Sequence, residues 1–250
     1  MQRLPSITAD CAVFLDFDGT LADLAPEPGA VRVEPGLVST LAALYEALDG
    51  ALAIVSGRRL ADIDHFLTPL RLPAAFEHGS QLRHADGDVM RLATPDLNDA
   101  LEAAQALAHR HPGLLFEPKL ASVALHYRHA PQLEAQCREA LLAVVQRSPQ
   151  LELVSGKCVL EVKQAGIDKG RAIEHFMNEA PFAGRHPLFA GDDVTDEAGF
   201  AAVQRLGGQG IKVGAGPSAA RFTCDSPQAL RAWLHFSIKR ARTSSAWRFA

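Results

Sequence analysis

The chain has 250 residues, 48% of them hydrophobic and 22% charged, with a net charge of −4. That length admits one large domain or two small ones, and the composition is that of a globular protein. The charge leaves no basic footprint for nucleic acid, so any anion-binding site must be local.

The first element is the apolar run Ala12-Val13-Phe14-Leu15, which reads as a buried strand of a parallel sheet. Asp16-Phe17-Asp18-Gly19-Thr20-Leu21 follows directly, with Gly19 breaking the strand. Residues two apart on a strand face the same way, so Asp16 and Asp18 can converge on one point. Two carboxylates that close repel unless a cation binds or one takes a proton. Both solutions serve phosphoryl transfer, through an oxygen-liganded cation or a carboxylate nucleophile. A lone Asp-Gly is ordinary turn chemistry. The full Asp-x-Asp-Gly-Thr after an apolar strand favours a reaction centre.

Pro35 to Leu48 reads as a helix, with Pro35 at its start and Leu37, Leu41, Leu44 and Leu48 at helical spacing. Leu52 to Val55 is a second strand, followed by Ser56-Gly57-Arg58 and a helix through Leu60, Ile63 and Phe66. This alternation is the signature of a parallel sheet. On position alone Ser56 is evenly balanced between a phosphate donor and a helix N-cap. Arg58 is close by, to bind substrate or to pair with an acid of its own domain.

The pattern changes after Thr94-Pro95. Helices over 97–109 and 132–145 alternate with strands over 114–116 and 122–127. A hairpin over 151–162 turns at Ser155-Gly156-Lys157. This order implies an α+β insert of about 70 residues, enough for a compact subdomain. The first pattern resumes after Gln164-Ala165-Gly166. It has helices over 169–178, 197–206 and 227–235, and strands over 188–190 and 211–213. The organisation is a core of 1–94 and 166–250 with an insert of 95–165.

Lys169 opens a helix, where the positive end of the dipole disfavours a cation, so an anion is expected nearby. Lys163 is an alternative. Asp192-Asp193-Val194-Thr195-Asp196-Glu197 follows the strand at 188–190. A helix start explains Asp196 and Glu197, but not the Asp192-Asp193 pair at a strand end. Carboxylates this dense demand a cation. Gly207-Gly208-Gln209-Gly210 and Gly214-Ala215-Gly216 match no phosphate-loop pattern and read as turns. His109/His111 and His126/His129 do not make a zinc set by spacing. The basic residues from Lys239 onward read as a solvated, frayed tail. Cys11, Cys137, Cys158 and Cys224 are scattered, which suits free thiols in a reducing compartment. No signal-peptide core opens the chain, and no stretch approaches the about 20 apolar residues of a membrane span. The expectation is a cytoplasmic protein with no membrane or nucleic-acid partner.

Asp16 to Leu21 resembles motif I of the haloacid dehalogenase-like (HAD) phosphohydrolases. Ser56, Lys169 and the segment Gly191 to Glu197 resemble motifs II, III and IV. The resemblance implies a Rossmann-like parallel-sheet core with an inserted α+β cap of the C2 type. It implies Asp16 as nucleophile, Asp18 as acid and base, and Ser56 and Lys169 as further catalytic residues. Mg²⁺ would be held by Asp16, Asp18 and Asp192, with Asp193 and Asp196 behind. Within that superfamily the chain is similar to the trehalose-6-phosphate phosphatases. Phe116 to Lys119, Ala124 to Arg128, Gly156 to Val162 and Gly191 to Glu197 carry this second resemblance. Val162-Lys163-Gln164 departs from it, since Arg-Pro is frequent there. The implied substrate is a small sugar phosphate, held by Gly57, Arg58, Glu117, Lys119 and Glu161. A sucrose-phosphate or mannosyl-phosphoglycerate type of capped phosphatase is the alternative. The further expectation is a monomer functionally coupled to a trehalose-phosphate synthase.

Overall fold

The computed structural model describes residues 3–25, 27–92 and 95–245. In chain order the strands are β1 (Cys11–Leu15), β2 (Leu52–Val55), β3 (Ala74–Phe76), β4 (Gln81–Arg83), β5 (Val89–Arg91), β6 (Leu115–Pro118), β7 (Ser122–His126), β8 (Leu151–Gly156), β9 (Val159–Gln164), β10 (His186–Gly191), β11 (Gln209–Val213) and β12 (Phe222–Cys224). The helices are α1 (Leu37–Ala47), α2 (Leu60–Leu67), α3 (Asn98–Arg110), α4 (Glu134–Arg147), α5 (Lys169–Met177), α6 (Glu197–Arg205) and α7 (Pro227–Ser245). Two compact units divide the chain. One comprises Met1–Met90, Asp168–Asp192 and Asp196–Ala250; the other comprises Arg91–Ile167 and Asp193–Thr195.

The first unit is built on one sheet of order β12-β11-β10-β1-β2-β3-β4-β5. Pairing is parallel from β12 through to β3, and β4 returns antiparallel to β3. Every residue of β1 is buried, which is why its sequence is apolar throughout rather than alternating. Leu15 sits level with both Ala190 of β10 and Ile54 of β2. The residues just past these three strands therefore share one edge. The chain leaves β1 for β2 on one side and returns through β10 on the other. That makes the edge a topological switch point, where open α/β sheets place their ligands.

The second unit is a four-stranded antiparallel sheet of order β6-β7-β9-β8, with α3 and α4 packed on it. Ala100, Ala104 and Leu107 of α3, and Cys137, Leu141 and Val144 of α4, face Val123, Leu125, Leu160 and Val162. The row Glu117, Ala124, Glu161 is offset by one residue from these and so points to the other face. The hairpin between β8 and β9 turns at Lys157-Cys158, two residues later than its expected start, with Cys158 at φ 62°.

Two expectations are corrected, and four short strands are added. The short strands β3, β4, β5 and β12 carry too few residues to show a pattern. As far as Ser245 the tail from Lys239 is not frayed, although Lys239, Arg240 and Arg242 are exposed as expected: it is the end of α7. Its inner face, with Leu230, Leu234 and Ala241, has no exposed surface. Trp233 donates to Pro5 O at 3.2 Å, Arg231 donates to Leu21 O at 3.0 Å, and Arg240 bonds Ser6. Residues 246–250 lie outside the described residues, as does Thr94 of the expected domain boundary. Gln209 and Gly210 belong to β11 rather than to a turn. The glycines there permit close packing, since a Cβ on Gly208 would lie 1.9 Å from Pro187 O. Gly208→Ala should lower the unfolding free energy by about 1–3 kcal/mol through overpacking. A chemical-denaturation midpoint equal to that of the parent chain would contradict this account.

Candidate active site

Asp16 is the first residue past β1, and its N–H donates to Ala190 O at 2.9 Å. Its carboxylate is buried and accepts from Lys169 Nζ at 2.8 Å. Lys169 is the first residue of α5, fixed there by Asp168. The Asp168 carboxylate caps the helix by accepting from Arg171 N–H at 2.9 Å. The anion demanded by a lysine at that position is present twice, for Lys169 also donates to Asp196 Oδ1 at 2.7 Å. Asp196 Oδ2 in turn accepts from Asp192 N–H at 2.8 Å.

Carboxylate oxygens of Asp16, Asp192 and Asp196 lie within 4.8 Å of one another, and all three residues are buried. Asp196, which the resemblance places behind the ligand set, is fully buried. The short turn Val194–Asp196 brings it back under Gly191, where a Cβ would meet Asp196 Cγ at 2.3 Å. Gly19 is needed for the same reason: its φ is +70° and a Cβ there would fall 2.1 Å from Asp192 Oδ2. Burial holds the Asp16 carboxyl well above the usual range, and the charges of Asp196 and Asp192 add to this against the opposing Lys169. Burial alone would lower Lys169, but Asp16 and Asp196 outweigh it and raise its pKa. This cluster gathers three buried carboxylates, two of which accept from the ammonium of Lys169. Its donors are hard oxygens, so the residues present fit a divalent cation such as Mg²⁺.

Asp18 takes a different partner. The strand stops at Leu15, and residues 17–22 curl so that Leu21 and Ala22 N–H both donate to Phe17 O. The alternation rule therefore lapses, and Asp18 does not point at the Asp16 cluster's lysine. Its carboxylate accepts both prongs of Arg58, Nε and Nη2, each at 2.7 Å. Arg58 lies over the rings of Phe66 and Phe17, at 4.9 and 5.7 Å. Ser56 is buried beside it, its Oγ accepting from Arg58 N–H at 3.2 Å. Ser56 is not the cap of α2, whose N-cap is Arg59.

Two supports escaped the sequence reading. Glu77 and His78 have positive φ, and their N–H groups bond Arg58 O and Ser56 O, both at 3.0 Å. His78 also abuts Gly57, where a Cβ would fall 2.6 Å from its ring. Lys212 of β11 is buried and donates to Asp192 O at 2.9 Å. A histidine before a glycine and a lysine inside an apolar strand are the signals each left. Lys163, the alternative to Lys169, bonds Glu152 and Ile167 O in the second unit. Asp193 Oδ1 accepts from Val194 N–H at 2.7 Å and is not one of the three converging groups.

Within the second unit, Glu117, Lys119 and Glu161 form a polar network on the sheet face away from its helices. Lys119 Nζ donates to Glu161 Oε1 at 3.1 Å, Ser122 Oγ donates to the same oxygen, and His126 pairs with Glu117 at 2.7 Å. Burial would raise Glu117, but the His126 hydrogen bond and the charges of Lys119 and His126 outweigh it and lower its pKa.

An open parallel sheet with an Asp-x-Asp turn after its central strand and an acidic loop after the neighbouring one is the design of the HAD phosphatases, whose fold this chain shares. The match is closer than that class. The chain belongs to the trehalose-phosphatase family, whose model matches residues 14–228. A trehalose-6-phosphate phosphatase of Escherichia coli (strain K12) is 42% identical over 240 residues, 94% of this chain and 89% of that protein. A solved trehalose-6-phosphate phosphatase related protein is 28% identical with a TM-score of 0.77, covering 91% of this chain and 96% of that one. The C-terminal domain of a Candida albicans trehalose-6-phosphate phosphatase shares the fold at a TM-score of 0.82 and 20% identity, covering 93% of each. The chain is a phosphoric monoester hydrolase.

Removing the ammonium that joins two buried carboxylates should be costly. Lys169→Met should destabilise the metal-free protein by about 3–5 kcal/mol, read from denaturant unfolding. Unchanged stability would show that Asp16 and Asp196 do not depend on the pair. For Glu117, a folded pKa below the unfolded one means its stabilisation is full above the unfolded value, near pH ~4.3, and is lost as pH falls through the folded value. Glu117→Gln should flatten the acid limb of the stability curve, and an identical limb in both proteins would count against the His126 pairing.

Proposed function

We propose that this chain hydrolyses trehalose 6-phosphate to trehalose and inorganic phosphate, through an aspartyl-phosphate on Asp16. The observation that carries the reading is the buried Asp16–Lys169–Asp196–Asp192 cluster at the switch point of a trehalose-phosphatase family chain. The Asp16 carboxylate attacks phosphorus; an Oδ–P bond forms and the bond from phosphorus to the sugar O6 breaks. Asp18 gives its proton to O6. Asp18 then takes a proton from water as the water oxygen attacks phosphorus, and the Oδ–P bond breaks to release phosphate.

The Ser56 hydroxyl, the Gly57 N–H and Lys169 donate to the phosphate oxygens. A guanidinium fork suits phosphate as well as carboxylate, so Arg58 passes from Asp18 to the phosphate as substrate seats. Mg²⁺ would be held by Asp16, Asp192 and the Asp18 carbonyl, with Asp196 and Asp193 supporting, and would neutralise charge between nucleophile and phosphate. Glu117, Lys119 and Glu161 of the inserted cap grip the sugar hydroxyls, for which charged partners give the stronger hydrogen bonds. The enzyme acts as a cytoplasmic monomer that receives its substrate from a trehalose-phosphate synthase. No described helix is long and apolar enough to cross a membrane, and none of the cysteines is in a disulfide.

The direct test is phosphate release from a panel of sugar phosphates with Mg²⁺. Trehalose 6-phosphate should be the best substrate; preference for sucrose phosphate or mannosyl-phosphoglycerate would overturn the assignment. Chelator should abolish turnover, and Asp16→Asn should do so with the fold intact. In the cap, Glu117→Ala, Lys119→Ala and Glu161→Ala should each cut kcat/KM for trehalose 6-phosphate roughly ten- to hundred-fold, as expected for one charged hydrogen bond. Hydrolysis of an aryl phosphate should fall much less. Equal losses on both substrates would mean that these residues do not select the sugar.

A further inference from the structure

We propose that the first unit carries a second metal site, for Zn²⁺ or a similar borderline ion, built from His84, His175 and Glu179. No residue is shared with the Asp16 cluster. The three come from two separate stretches of backbone, each held in place. His84 follows β4, its N–H donating to Asp88 O at 2.9 Å and its carbonyl accepting from Gly87 N–H at 3.1 Å. His175 lies in the last turn of α5. Glu179 stands just past that helix, four residues on, its carbonyl accepting from Phe182 and Ala183 N–H at 2.9 and 2.8 Å.

The side chains converge. His84 Nδ1 is 2.7 Å from Glu179 Oε2, His175 Nε2 is 3.1 Å from Glu179 Oε1, and the two imidazole centroids are 5.6 Å apart. One ligand atom from each lies within 4.8 Å of the others. The Glu179 carboxylate bridges the two imidazoles, hydrogen-bonded to His84 but only within ion-pair distance of His175. The latter's Nε2 is closed to solvent and makes no hydrogen bond among the described residues. A cation bound there would give that nitrogen a partner.

Two imidazole nitrogens and one carboxylate oxygen suit Zn²⁺, at bond lengths of about 2.0–2.2 Å. The three side chains are partly exposed, and a water would supply the fourth ligand. Mg²⁺ prefers an all-oxygen shell, so the two sites select different ions. An ion here ties the end of β4 to α5, the helix that carries Lys169. It would act on stability, not on the reacting atoms.

The test is Zn²⁺ uptake by the whole chain, by equilibrium dialysis in excess Mg²⁺. One ion per chain should bind the parent protein and be lost in His84→Ala and in His175→Ala. Zn²⁺ should raise the melting midpoint of the parent by on the order of 5 °C and leave those of the variants unmoved. Both variants should keep the Mg²⁺-dependent activity within about two-fold. As a check that does not rely on a variant folding, anomalous scattering at the zinc edge should place the ion on all three side chains. Uptake that survives both substitutions, no uptake above background, or an ion seated elsewhere would overturn the proposal.

Discussion

A single buried ammonium holds the reaction centre together. Lys169 reaches Asp16 at the end of β1 and Asp196 beside the end of β10, so one side chain ties three segments far apart in sequence. Its position at the first turn of α5 is unfavourable for a cation and is offset by two charge-assisted hydrogen bonds. Each carboxylate is itself costly to bury and depends on the same lysine. The arrangement is stable only when all its parts are present, which is why Gly19 and Gly191 leave no space for a side chain against Asp192 and Asp196.

Much of this was legible in the sequence where one local pattern decided the outcome. The apolar run of β1, the strand at Leu52 to Val55 and the leucine spacing of α1 needed no tertiary information. Asp16, Lys169 and Asp192 stood out because their residue types were wrong for an ordinary strand end or helix start. Asp196 did not stand out, because a helix start explained its charge; only the turn that folds it under Gly191 places it in the cluster. Alternation did not reveal that Asp18 pairs with Arg58, because the pattern holds only while the strand lasts and β1 ends at Leu15. Short elements such as β3 and β12 fell below any periodic signal. The His84, His175 and Glu179 cluster joins residues from two distant stretches, so spacing could not reveal it.

The second unit makes the same point with register. Its sheet alternates strictly, with Val123, Leu125, Leu160 and Val162 against the helices and Glu117, Ser122, Glu161 and Lys163 on the opposite face. A helix-covered face supplies the unit's core and leaves the other face available for polar chemistry. The ionic network is confined to residues that the pleat turns away from α3 and α4.

The pairing of β1 bears on how the chain acquires its structure. On one side β1 meets β2, a near neighbour in sequence; on the other it meets β10, with Leu15 opposite Ala190. Contacts of such long range are slow to form, because the intervening chain must be ordered before they reward it. The hairpins of the second unit are local by comparison. During synthesis, β1 must wait with one edge exposed until β10 has been made, and α7 closes over Pro5 and Leu21 later still. A newly made chain is therefore vulnerable to aggregation through its most apolar strand.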